Sequence, residues 1–246
     1  MDVKGKTAII TGSTGKLGRE IVLLLAGAGV NCICVYNRNK KIANALEASI
    51  KKNGVRSCFV QADITRQQGI EKVFAKAKNF SQPQILINAA ACFEKMPIAK
   101  IDSEYIRQTF DLNFTSAILM TQKFVEIMKT NRQALKPIGK IVNITDASII
   151  KHPAVYSIYT ASKAALESAT ISLAKELSPN ITVNAVAPGL IHWPKGMSEE
   201  QKRKLVARVP ANRPGLPVEV ASAVKFVIEN DYITGRTIAI DGGWTL

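Results

Sequence analysis

The chain has 246 residues, with 33 Lys and Arg against 19 Asp and Glu, a formal net charge of +14. At 47% hydrophobic and 21% charged residues, its composition excludes disordered and fibrous classes. No apolar run approaches the ~18 residues that a membrane helix requires, and Met1–Lys6 has no signal-peptide character, so a cytoplasmic location without a membrane partner is expected.

The length suits one α/β domain over residues 1–246, enough to bury a sizeable core. Short β-branched runs alternate with helical patterns. Thr7–Thr11, Cys32–Tyr36, Cys58–Gln61, Ile85–Asn88, Lys140–Thr145, Thr182–Ala185 and Thr237–Ile240 read as strands. Leu17–Ala28, Lys40–Lys52, Gln67–Lys78, Tyr105–Lys129, Ser157–Leu177 and Val218–Ile228 read as helices. Strands that are apolar on both faces and separated by helices predict a doubly wound, seven-stranded parallel sheet. Pro188–Pro217 is long, polar and rich in Pro and charge, and it follows a strand directly. It reads as a substrate-loop lid, against the plainer reading of a surface excursion with a short helix at Ser198–Arg208.

The charge is uneven. Residues 1–140 hold 22 basic and 10 acidic residues, so that part carries +12 and the remainder +2. The densest basic run, Lys202-Arg203-Lys204, has no aromatic stacking motif beside it. An anionic small molecule fits better than a nucleic acid. Cys32, Cys34, Cys58 and Cys92 form no C-x-x-C pair and lie far in sequence from His152 and His192. Buried free thiols are expected, with no metal site or disulfide framework.

The first strand runs into Thr11-Gly12-Ser13-Thr14-Gly15-Lys16-Leu17-Gly18, and a helix follows. Small residues there let backbone approach a pyrophosphate, and the helix N-terminus supplies free N–H groups. The second strand ends in Tyr36-Asn37-Arg38-Asn39, and no Asp or Glu occurs between Glu20 and Glu47. A cation here suits a 2′-phosphate, which predicts NADPH over NADH. Tyr159 and Lys163 lie four residues apart on one helical face. A neighbouring ammonium is expected to lower the phenol pKa and make Tyr159 a usable acid.

This ordered set resembles the short-chain dehydrogenase/reductases over essentially the whole chain. The resemblance rests on Thr11–Gly18, Asp63, Asn88-Ala89-Ala90-Ala91, Asn113, Tyr159 with Lys163, Pro188-Gly189 and Asp241-Gly242-Gly243. It implies a three-layer αβα Rossmann-type fold with Tyr159 as proton donor and Lys163 on the nicotinamide ribose. Asn113 would support a proton-relay water, Asp63 would bind the adenine amino group, and Asn88 would begin the segment against the adenosine ribose. Gly12, Thr14, Lys16, Leu17, Gly18, Tyr36, Asn37, Arg38, Asn39, Ile64, Ala89, Ala90, Pro188, Gly189 and Leu190 complete the implied cofactor contacts. A homotetramer is also implied, with helices Tyr105–Lys129 and Ser157–Leu177 at one interface and Ile240–Leu246 at another.

The chain departs from most members at Lys16 (Gly), Ala89 (Asn), Ala91 (Gly) and Asp146 (Ser). Asp146 stands thirteen residues before Tyr159, where the usual Ser orients a substrate carbonyl. An anion is poorly suited to donate to a ketone. The departures resemble the pteridine reductases, which carry a basic residue at Lys16, Tyr-x-Arg after strand two, and Asp for Ser. They also carry an aromatic residue where Phe93 stands, and the stretch beginning Ala187-Pro188 and reaching Trp193 resembles their substrate loop. Singly, Phe93 suits core packing, Asp146 a helix cap, Lys16 a solvated surface and Trp193 an oligomer contact. Together they imply NADPH-dependent reduction of a C=N bond in a dihydropterin of dihydrobiopterin, dihydromonapterin or dihydrofolate type. Lys16, Phe93, Asp146, Tyr159 and Trp193 would meet the substrate. The alternatives are a 3-oxoacyl-type carbonyl reductase of the same fold and a non-catalytic NADPH-binding sensor.

Overall fold

The computed structural model describes residues 1–128, 137–193 and 196–246. Seven parallel strands form one sheet in the order β3-β2-β1-β4-β5-β6-β7. They are β1 Thr7–Ile10, β2 Asn31–Tyr36, β3 Ser57–Gln61, β4 Ile85–Asn88, β5 Gly139–Ile144, β6 Ile181–Pro188 and β7 Thr237–Ile240. Parallel strands need crossover connections, and helices supply them: α1 Lys16–Gly27, α2 Lys40–Lys51, α3 Gln67–Phe80, α4 Ser103–Phe110, α5 Ser116–Ile127, α6 Ser157–Leu177, α7 Glu199–Val206 and α8 Pro217–Glu229.

Successive strand side chains fall on opposite faces, so each strand contributes to two cores. On one face Ile10, Cys32, Cys34, Ile87 and Val142 pack with Ile21 and Leu25 of α1, Leu46 of α2 and Val224 of α8. On the other, Ile9, Ile33, Leu86 and Ile141 pack with Ile70 and Phe74 of α3 and Met120 and Phe124 of α5. This is the αβα sandwich expected from strands apolar on both faces. The four cysteines are free thiols, with Cys32, Cys34 and Cys58 buried. Among the described residues no helix is long and apolar enough to cross a membrane.

Two elements differ from the sequence reading, while a short helix does form inside Ser198–Arg208. The expected Tyr105–Lys129 helix is broken by a π turn at Asp111–Thr115, which divides α4 from α5, and its end at Lys129 lies outside the described residues. π turns inside helices occur frequently at functional sites. β6 runs to Pro188 rather than Ala185, because Val186, Ala187 and Pro188 stay paired with Ile238, Ala239 and Ile240. Within 188–217, α7 forms on a capping box between Ser198 and Gln201.

One polar contact crosses the centre of the sheet. Asn88 and Asn143 are register partners on β4 and β5. Asn88 Nδ2 donates to Asn143 Oδ1 at 2.9 Å, and Asn143 Nδ2 donates to Thr170 Oγ1 of α6 at 2.9 Å. All three side chains are buried.

Candidate active site

The carboxyl ends of the central strands and the turns after them build the site. Gly12 follows β1 with φ +66°, and a Cβ there would lie 2.8 Å from Ala90 Cα and 2.9 Å from Ala89 O. A Cβ on Gly18 would lie 2.2 Å from Gly12 O. Only glycine lets this turn fold so closely onto α1 and the end of β4. The Thr11 hydroxyl accepts from Ala89 N at 3.0 Å and Ala90 N at 3.1 Å, which ties the two loops together. The first turn of α1 has no acidic residue and no side-chain cap, so its N–H groups face the cleft mouth without a protein partner of that kind.

Of the residues read from sequence, Gly12, Thr14, Tyr36, Asn37, Arg38, Asn39, Asp63, Ile64, Ala89 and Ala90 line one cleft of about 730 Å³. Arg38 is exposed at the end of β2. Asp63 Oδ1 accepts from Thr65 Oγ1 at 2.7 Å and Thr65 N at 3.1 Å, and these bonds, with Arg66 and Arg38 nearby, hold its carboxyl below the usual range. Lys16 begins α1 and stays exposed. It stands close enough to His192 to add to the burial that lowers the imidazole pKa.

Several expected cofactor residues take other places. The Asn88 side chain points into the core, bonded to Asn143, so it gives the cleft only its backbone. Gly18 is buried beneath the turn, and Leu17 packs against the α1 face of the core. Pro188 is paired within β6, Gly189 N donates to Ile240 O, and Leu190 is buried.

The candidate catalytic cluster forms where β5 ends beside α6. Asp146 lies two residues past β5 and caps a 3₁₀ turn at Ala147–Lys151, with Oδ1 accepting from Ser148 N at 2.7 Å. Its other oxygen accepts from the Tyr159 hydroxyl at 2.5 Å. Burial and the Asp146 carboxylate together hold the Tyr159 pKa well above the ordinary phenol range. This corrects the expectation that Lys163 lowers it. The Lys163 ammonium is buried and donates to Ile144 O at 2.7 Å. Burial brings its own pKa down to about 8, with Asp146 pulling it back up. The anion, not the cation, sits on the phenol.

The Asn113 side chain is committed within the protein. Oδ1 accepts from Cys92 N at 2.8 Å, while Nδ2 donates to Cys92 O at 3.1 Å and to Ser162 Oγ at 3.0 Å. Only its backbone remains for a relay water. Phe93 stays 49% exposed, with its ring edge-on to Tyr159 at 4.7 Å and stacked on Tyr156 at 4.6 Å and 6°. Trp193 is half-buried, and the Lys202 ammonium of α7 lies 5.8 Å from its ring centroid. The sequence reading missed Tyr156 and Ser162, which belong to no spacing pattern. It also missed the far cleft wall on α4 and the π turn after it, where Tyr105, Gln108 and Asp111 carry no motif.

This geometry agrees with the comparisons to known proteins. A family model described as enoyl-(acyl carrier protein) reductase matches residues 13–245. The chain belongs to the short-chain dehydrogenase/reductase family. It is 34% identical to carbonyl reductase family member 4 of Danio rerio, with 98% of each chain covered. It is 33% identical to the 3-oxoacyl-[acyl-carrier-protein] reductase FabG of Aquifex aeolicus, with 99% of each covered. Among solved structures it is similar to FolM alternative dihydrofolate reductase 1 of Brucella canis, complexed with NADP. That match has a TM-score of 0.90 at 27% identity, covering 99% of this chain and 95% of that one. Short-chain dehydrogenase/reductases are oxidoreductases.

Proposed function

We propose that this short-chain dehydrogenase/reductase is an NADPH-dependent pteridine reductase acting on the C=N bond of a dihydropterin. The observation that carries the reading is the 2.5 Å bond from the Tyr159 hydroxyl to the Asp146 carboxylate. A carboxylate repels the alkoxide that develops when a ketone is reduced. It suits a pterin, whose ring edge carries N–H donors and whose reduction needs a proton at nitrogen. Phe93 adds a flat, half-exposed ring for the heterocycle to lie against.

The cleft fits the dinucleotide. Gly12, Thr14 and Gly15 line the cleft with small residues, the α1 N-terminus suits a pyrophosphate, and Arg38 suits a 2′-phosphate. Bound NADPH supplies the hydride. Tyr159 stays a phenol up to high pH and donates a proton to the substrate nitrogen. Asp146, half-buried, holds the phenol in place, takes up a replacement proton from solvent and returns it to the Tyr159 oxygen. Lys163 holds the ribose. Lys16 and Trp193 stand at the mouth, and residues 188–217 act as the lid. Exposed Ile106, Ile171 and Leu246 support a homotetramer through the helices and the C-terminal segment.

The names of the 3-oxoacyl-[acyl-carrier-protein] reductase relatives favour a second reading, reduction of a 3-oxoacyl thioester. One assay separates the two: NADPH oxidation with dihydrobiopterin, dihydromonapterin or dihydrofolate against acetoacetyl thioester. The pterin reading expects turnover of at least one pterin and little of the thioester. The reverse result overturns it. Tight NADPH binding without turnover of any of these substrates would leave a cofactor-binding sensor.

A further inference from the structure

The loop that carries Phe93 is fastened to the catalytic helix at an unusual depth. Cys92, the residue before Phe93, gives both its N–H and its C=O to the Asn113 side chain, at 2.8 and 3.1 Å. The second Nδ2 hydrogen of Asn113 goes to Ser162 Oγ at 3.0 Å, and Ser162 Oγ–H goes to Tyr159 O at 2.7 Å. Asn113 and Ser162 are both buried, at 1% and 0% exposure. The π turn at Asp111–Thr115 carries Asn113 between the loop and α6. The chain of bonds therefore runs from the Tyr159 backbone through Ser162 and Asn113 to the backbone that bears Phe93.

We infer that Ser162 is a positioning residue that sets the place of the Phe93 ring relative to the Tyr159 hydroxyl. It touches neither ring. Its hydroxyl ties the Asn113 amide to α6, because the other amide hydrogen and the oxygen are both used on Cys92. Removing the hydroxyl leaves a buried N–H unpaired and loosens the amide, together with the Cys92 backbone it holds, from the helix that bears Tyr159. Phe93 then loses its fixed distance to Tyr159, although the loop keeps its outer bonds from Met96 N to Val155 O and from Tyr105 Oη to Glu94 O. The inference rests on the proposed function only in taking Phe93 as a wall of the substrate site, whichever substrate that is.

The test is a double-mutant cycle of Ser162→Ala and Phe93→Ala. It is read on whichever of dihydrobiopterin and acetoacetyl thioester the wild-type enzyme reduces, so its result does not depend on which reading of the substrate holds. Ser162→Ala should raise the substrate KM about tenfold, the scale of one net hydrogen bond, with a much smaller change in kcat. In the Phe93→Ala background the same change should have no further effect on KM. A general loss of structure would instead lower kcat through the active fraction and leave KM alone. Ser162→Cys, which keeps a weak donor and acceptor, should recover part of the KM, and it replaces Ser162→Ala in the cycle if that variant does not fold. An unchanged KM in the Ser162 variant, or an equal rise in both backgrounds, overturns the inference. Phe93→Ala without effect overturns it as well.

Discussion

Asp146→Asn isolates the charge at the catalytic pair while keeping its shape. The carboxylate now accepts two hydrogen bonds, from Tyr159 Oη at 2.5 Å and Ser148 N at 2.7 Å. An amide has one oxygen and can accept only one of these. Ser148 N is a fixed backbone donor, so the amide oxygen stays with it and the –NH₂ turns to Tyr159. The phenol then becomes an acceptor, and its own proton loses the partner that aimed it. The lost charge-assisted bond is of order 1.5–3 kcal/mol. General acid catalysis by a positioned side chain contributes about 10²–10⁴-fold, so pterin turnover should fall by about 10² or more. The pH profile gives a second measure. Lys163 loses its proton near pH 8, so wild-type kcat/KM should decline as pH rises through that value. Asp146 raises the pKa of both Lys163 and Tyr159, so its neutralisation lowers both and moves the alkaline limb to lower pH. The measurement is steady-state NADPH oxidation with dihydrobiopterin across the pH range, beside circular dichroism to show the fold is kept. A kcat/KM within twofold of wild type, with the limb in place, would refute the role given to the anion.

Three further outcomes follow from the geometry. Arg38→Glu should weaken NADPH binding by about two orders of magnitude, the scale of a lost charge-assisted phosphate contact made repulsive, and narrow or reverse the preference over NADH; fluorescence titration with both cofactors checks it. Gly12→Ala should abolish cofactor binding, because φ +66° costs roughly 1–2 kcal/mol for an L-residue and the new Cβ would meet Ala90 Cα at 2.8 Å; calorimetry and a melting curve separate lost binding from lost fold. The buried Lys140 ammonium of β5 pairs with Asp231 Oδ1 at 2.8 Å, so Lys140→Met should destabilise the protein by about 2 kcal/mol, at the low side for a broken buried pair because Asp231 is one-third exposed, with Lys140→Met/Asp231→Leu recovering part of it; denaturant unfolding measures both.

Much of this fold is written in local pattern. The seven strands fall within three residues of their expected ends because each is a short apolar run between turn residues, and such runs admit few alternatives. The Gly12 turn was legible because its position between a strand and a helix leaves glycine no substitute. Asp146 and Tyr159 were legible as a pair only through the family resemblance, which puts a substrate-facing residue thirteen positions before the tyrosine. What the pair does to its protons was not. That depends on which way the Lys163 ammonium turns, and it turns to Ile144 O on β5. Asn88 shows the same limit: its place at the end of β4 could be read, but the last side chain of a strand faces either core or ligand, and here Asn143 claims it. Tyr156 and Ser162 were invisible because their roles arise from contacts across the chain.

The Asn88–Asn143 contact has a consequence far from its own position. A slip of β5 by one residue would turn Asn143 to the opposite face and leave two amides buried without each other, at about 1–3 kcal/mol for each stranded group. The apolar residues around them, Ile87 and Val142 on one face and Leu86 and Ile141 on the other, would tolerate that slip far better, since all four strand neighbours are aliphatic. Two uncharged amides thus act as the index mark of the sheet. Three residues beyond that mark stands Asp146, and the same ladder reaches α6 through Thr170, eleven residues after Tyr159. The acid and the phenol meet at hydrogen-bond distance because both are measured from one fixed point in the interior.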